Sequence, residues 1–139
     1  MPPARSHQRL RPACRFLLLA FITLLFGDRA VLAVTKYVTD ADKVGSVQLK
    51  MGDVLDVRLR SNPTTGYMWY VHPKSTPLLR LIGHSPTQTP QPGVGRPIFQ
   101  VFRFQAVGAG EGVLLLHYIR SWERPTQDEE QYDLRVSIH

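Results

Sequence analysis

Five histidines (His7, His72, His84, His117, His139) and one cysteine, Cys14, are the residues of this chain best suited to metal or nucleophilic chemistry. Their spacing builds neither. No H-x-x-x-H or H-x-H pair occurs, and Cys14 stands far from the histidines other than His7, so no metal site is expected. There is no G-x-S-x-G elbow to present a serine nucleophile. Gly108-Ala109-Gly110 lacks the context of a phosphate-cradling loop and reads as a hairpin turn. Glu129-Glu130 falls in a polar stretch and reads as a solvated charge run. The expectation is a protein that is not an enzyme and needs no cofactor.

Two other segments carry residue types suited to recognition. Asn62-Pro63-Thr64-Thr65-Gly66-Tyr67 joins two strongly patterned stretches. Pro63 fixes φ and removes a donor. Asn62 can hydrogen-bond the backbone that follows it. Gly66 can take a positive φ where the chain re-enters a strand, and both threonine hydroxyls are left at the tip. On chemistry alone this reads first as an ordinary turn. Proline after Asn62 rules out N-glycosylation there. Arg120-Ser121-Trp122 opens a second loop. A Trp beside an Arg just past a strand end is a common interface anchor, although composition fits a Trp covering the core rim equally well. Trp69, mid-strand among apolar neighbours, reads as core.

These segments need elements to position them, and the pattern supplies strands. Val54 to Arg60 alternates, with Leu55, Val57 and Leu59 on one face and Asp56, Arg58 and Arg60 on the other. Further strands are expected at Tyr67–His72, Leu78–Ile82, Phe99–Ala106, Val113–Ile119 and Tyr132–Ile138, with one more inside Tyr37–Leu49. Phe102, Phe104 and Ala106 share a face; so do Tyr132, Leu134, Val136 and Ile138. Gly108–Gly112 reads as a turn and Ser121–Gln131 as a polar loop. His84 to Gly95 is a Pro-, Gln- and Gly-rich connection within one domain. Seven or eight short strands with Gly and Pro turns point to an all-β, immunoglobulin-like Greek-key sandwich. The pattern alone also accommodates a barrel.

Residues 1–33 are set apart from that fold. Arg5, Arg9, Arg11 and Arg15 precede an apolar run of 11 residues, Phe16 to Phe26, and Val31-Leu32-Ala33 offers small or aliphatic residues for cleavage. That order is a secretory signal peptide. The apolar run is too short to span a bilayer, which takes roughly 18 residues or more. The exported domain is then 34–139, periplasmic or secreted, without stable membrane insertion. The whole chain carries +6; residues 1–33 hold five Arg and one Asp, or +4, which leaves +2. The basic character belongs largely to the leader, and no nucleic-acid partner is expected. Cys14 leaves with the leader, so the domain is held by its core without disulfides.

The segment Asn62 to Tyr67, followed by Trp69, resembles the N-P-T-T-G-[YF] motif of the chagasin-type inhibitors of papain-like cysteine peptidases. The run Leu114-x-Leu116-x-Tyr118-x-Arg120-x-Trp122 resembles that family's later strand and its R-P-W motif, and Phe102-x-Phe104-x-Ala106 fits as well. The likeness spans roughly residues 36–138. It departs in two places: Ser121 replaces the proline, and Gly93-Val94-Gly95-Arg96 stands where relatives have a G-x-G-G loop. The resemblance implies a sandwich with three loops at one end that enter the peptidase cleft together. Asn62 to Tyr67 would cover the catalytic cysteine, while Gly93 to Arg96 and Arg120 to Trp122 grip the flanking walls. A monomeric, reversible, tight-binding inhibitor is the reading. The rival is an exported immunoglobulin-like module for another protein or a glycan.

Overall fold

The computed structural model describes residues 32–86, 98–124, 126 and 129–139. Eight strands follow in order: β1 (Thr35–Thr39), β2 (Ser46–Leu49), β3 (Val54–Ser61), β4 (Met68–Val71), β5 (Leu79–Ser85), β6 (Ile98–Ala106), β7 (Gly110–Ile119) and β8 (Glu130–Ile138). They form two four-stranded sheets, ordered β1-β3-β6-β5 and β2-β8-β7-β4. β1 runs parallel to β3 and β2 parallel to β8; the remaining pairs are antiparallel. The chain crosses between sheets after β1, β2, β3, β4 and β6. This is the immunoglobulin-like sandwich expected from the strand count.

The alternation that defines the strands also builds the core. Leu55, Val57 and Leu59 are fully buried; they lie beside Phe102 and Phe104 of the same sheet and pack in one core with Leu114, Leu116, Tyr132, Leu134, Val136 and Ile138 of the other. Trp69 is buried among them, with its indole N–H donating to the Arg60 carbonyl at 2.9 Å. Its ring meets Tyr132 edge-on, in the T-shaped geometry that the ring quadrupoles favour.

Four expectations need correction. The single strand expected inside Tyr37–Leu49 is two strands in different sheets. Thr39 caps a short 3-10 turn at Asp40–Asp42, its own N–H bonded to Asp42, and Val44 then takes φ +63°. These local bonds compete with the ladder and let the chain switch sheets. β7 begins at Gly110 and not at Val113: Gly110, Glu111 and Gly112 pair with Ile138, Ser137 and Val136 of β8, and Gly112 packs where a Cβ would stand 2.3 Å from Thr76 Oγ1. β5 continues beyond Ile82 to Ser85 through a bulge at Leu81–Gly83, and His84 stacks on Phe102. Asp56, on the outward face of β3 as expected, is nevertheless buried beneath Arg103, which donates two hydrogen bonds at 2.8 and 2.7 Å.

Candidate functional site

β3 ends at Ser61 in one sheet and β4 begins at Met68 in the other. The intervening turn must therefore reverse the chain across the end of the sandwich. Asn62 and Tyr67 close it with an isolated antiparallel bridge. Pro63–Thr65 form one 3-10 turn: Thr65 N–H donates to the Asn62 carbonyl (3.1 Å) and Gly66 N–H to the Pro63 carbonyl (3.0 Å). Gly66 ends the turn at φ +82°, ψ −5°, where a side chain is strained. Thr65 Oγ1 donates to the Asn62 carbonyl at 2.7 Å, and Thr64 Oγ1 donates to Asn62 Oδ1. Internal bonds thus fix the shape of the turn, while Asn62, Thr64 and Thr65 remain exposed.

The end of β7 grips this turn from the side. β4 pairs with β7 so that Met68 faces Ile119, which sets Arg120 beside Tyr67. Alternate residues then point the same way. Tyr118 Oη accepts the Asn62 N–H at 2.9 Å, and its ring packs between Tyr67 and Trp69, with centroids at 5.5 and 5.0 Å. Arg120 Nε donates to the Thr65 carbonyl at 3.0 Å, and the guanidinium lies 4.4 Å above the Tyr67 ring, a cation–π contact. Arg120 also pairs with Glu123 at 2.9 Å, and the Glu123 carboxylate pushes the guanidinium pKa up. The Trp122 indole covers Gly66, where an added Cβ would meet Cη2 at 2.3 Å. Its outer side is open, with 70% of the residue exposed.

The structure therefore brings together Asn62, Pro63, Thr64, Thr65, Gly66, Tyr67, Arg120, Ser121 and Trp122. Gly93, Val94, Gly95 and Arg96 lie outside the described residues. Ile98, the next described residue along the chain, pairs with Ser61 at the same end of the sandwich.

Two supporting residues escaped the sequence reading as site elements. Tyr118 was legible only as a strand residue, although its i, i+2, i+4 spacing with Arg120 and Trp122 was the available signal. Gln100 is fully buried on the core face of β6. Its side-chain amide accepts the Trp69 N–H at 2.7 Å and donates to the Trp69 carbonyl at 3.2 Å. It ties the two sheets just below the turn. Its place in phase with Phe102 and Phe104 marked it as an inward polar residue. Among the described residues, no group of three or more His, Asp or Glu could hold a metal ion.

Residues 48–136 match the family described as chagasin family peptidase inhibitor I42. The chain belongs to the chagasin family. Chagasin of Trypanosoma cruzi is 28% identical over 108 residues, covering 73% of this chain and 96% of chagasin. Amoebiasin-2 of Entamoeba histolytica is 26% identical over 93 residues, covering 66% and 76% respectively. The fold is similar to that of the cysteine protease inhibitor EhICP2 from Entamoeba histolytica, with a TM-score of 0.65, 21% identity, and 78% and 98% of the two chains covered. It is also similar to PbICP-C, solved in complex with falcipain-2, with a TM-score of 0.50, 18% identity, and 76% and 92% covered. Chagasin-family proteins are inhibitors of peptidases and not enzymes themselves.

Proposed function

We propose that this chagasin-family protein is a reversible, tight-binding inhibitor of papain-like cysteine peptidases, acting outside the cytoplasm as a monomer once residues 1–33 are removed. The carrying observation is the braced, exposed turn at Asn62–Tyr67 with Trp122 beside it. A papain-like peptidase cleaves an extended peptide whose carbonyl carbon lies within reach of the thiolate. A 3-10 turn closed by Thr65 N–H···O=C Asn62 and Gly66 N–H···O=C Pro63 bonds does not present that geometry. The turn can therefore fill the cleft above the catalytic cysteine without being cut. Thr64, Thr65 and the exposed backbone groups supply hydrogen bonds. Trp122 supplies the apolar anchor against the cleft wall, and Gly93 to Arg96 would meet the opposite wall. Because the turn is held before docking, little ordering entropy opposes binding.

The test is steady-state inhibition of a papain-like peptidase at several concentrations of a small peptide substrate. The expected pattern is competitive, with activity recovered on dilution and the Thr64–Gly66 segment intact by mass spectrometry after prolonged incubation. Non-competitive inhibition, or cleavage within the turn on the time scale of substrate turnover, would contradict the plug.

A further inference from the structure

Val34 is seated at the edge of the first sheet by two hydrogen bonds, one to a side chain and one to backbone. Its N–H donates to Asp53 Oδ1 at 3.0 Å, and its carbonyl accepts the Val54 N–H at 2.9 Å. Asp53 is buried. Its other oxygen accepts the Lys50 N–H at 2.9 Å. Its backbone is fixed as well: its N–H donates to the Lys50 carbonyl, and its own carbonyl accepts the Ala106 N–H. The Lys50 and Val34 bonds, in that order, hold the Asp53 carboxyl below its ordinary pKa. A rigid, ionised carboxylate thus faces the nitrogen of the residue that the leader pattern places first in the exported protein.

We propose that Asp53 is the receptor for the α-ammonium group of Val34, created when the leader is removed, and that this processing locks β1 onto β3. Hydrolysis of the Ala33–Val34 bond consumes one water, leaving a carboxylate on Ala33 and an amine on Val34. The amine takes up a proton from solvent. The nitrogen already stands at hydrogen-bond distance, so the ion pair forms without moving the backbone. The carboxylate already accepts from an uncharged amide; a proton on the freed nitrogen makes both partners charged and adds their Coulomb attraction to the bond. β1 is a strand of five residues that, among the described strands, pairs only with β3, so a fixed start bears directly on its attachment. Other charged groups around the carboxylate are Lys36 on β1 and Lys50 in the turn before β3. Lys36 directs its ammonium to the Gln48 carbonyl. His139 is tied to the same turn through backbone bonds with Leu49 and Met51.

The inference stands apart from peptidase inhibition and is tested without a peptidase. The core, Val38 to Ile138, lies wholly within residues 34–139. Two proteins are compared: one beginning at Val34, and one extended by Val31-Leu32-Ala33, whose Val34 nitrogen remains an amide. At pH 6.5 the Val34 form should melt several degrees higher. The α-amino group should titrate above the ordinary value of about 7.7–8.0. A group whose pKa is raised by folding contributes stability that is fully present below that range and lost as pH rises through the folded value. The gap should therefore close in alkaline buffer, and Asp53→Asn should abolish it at pH 6.5. If Asp53→Asn does not fold, the pH arm decides. Equal melting at pH 6.5, a gap that survives alkaline pH, or an exported product beginning elsewhere than Val34 overturns the proposal.

Discussion

Gly66→Ala probes the site at its tightest point. A Cβ at this position would stand 2.3 Å from Trp122 Cη2 and 2.9 Å from Cζ2, against roughly 3.5–4.0 Å for carbon atoms in contact. The indole must move by more than about 1 Å. Trp122 is 70% exposed, so it can swing outward at little cost to the fold. The stability loss then comes mainly from φ +82° at position 66, about 1–2 kcal/mol for an L-residue in the left-handed region. That corresponds to a melting point lower by roughly 5–10 °C in a domain of this size. The inhibition constant should rise by about thirtyfold or more, because displacing an aromatic anchor costs about 2 kcal/mol or more. Trp122→Ala alone should weaken inhibition on the same scale while barely moving the melting point. In the Trp122→Ala background, Gly66→Ala should cost far less binding than in the wild type, since no indole remains to displace. A double-mutant cycle of inhibition constants reads this coupling. An unchanged constant for Gly66→Ala, or the same loss in both backgrounds, refutes the reasoning.

Tyr118→Phe keeps the ring between Tyr67 and Trp69 but removes the acceptor of the Asn62 N–H; amide exchange at Asn62 should quicken and inhibition weaken by about fivefold, the scale of one neutral hydrogen bond. Ser121→Pro restores the proline of relatives and should tighten inhibition up to a few-fold by reducing loop freedom; a tenfold loss with an intact fold would assign Ser121 a contact of its own. Gln100→Ala leaves the Trp69 N–H and carbonyl unpaired inside the sandwich, and should lower stability by about 2–4 kcal/mol in denaturant unfolding.

Period-two alternation made the sandwich legible. Leu55, Val57 and Leu59, and Tyr132 to Ile138, lie on the core face as their spacing requires. It failed where local side-chain bonds outcompeted the ladder, as at Thr39–Asp42, and where a strand glycine served packing and not turning, as at Gly112. Alternation also gave the direction of Asp56 but not its burial, because the cover comes from Arg103 on a strand 47 residues away in sequence. At the site, the turn was legible because proline and glycine each announce a backbone angle. The grip of Tyr118 and Arg120 on that turn was not, since it depends on the β4–β7 register that pairs Met68 with Ile119. No local pattern specifies that register.

The most direct test of the account is a paired titration of the 34–139 protein against a papain-like cysteine peptidase and against trypsin. Both enzymes cleave extended peptides, but their clefts differ in shape and nucleophile. The account predicts stoichiometric, reversible loss of activity for the cysteine peptidase and none for trypsin. Inhibition of both enzymes, or of neither, would contradict it.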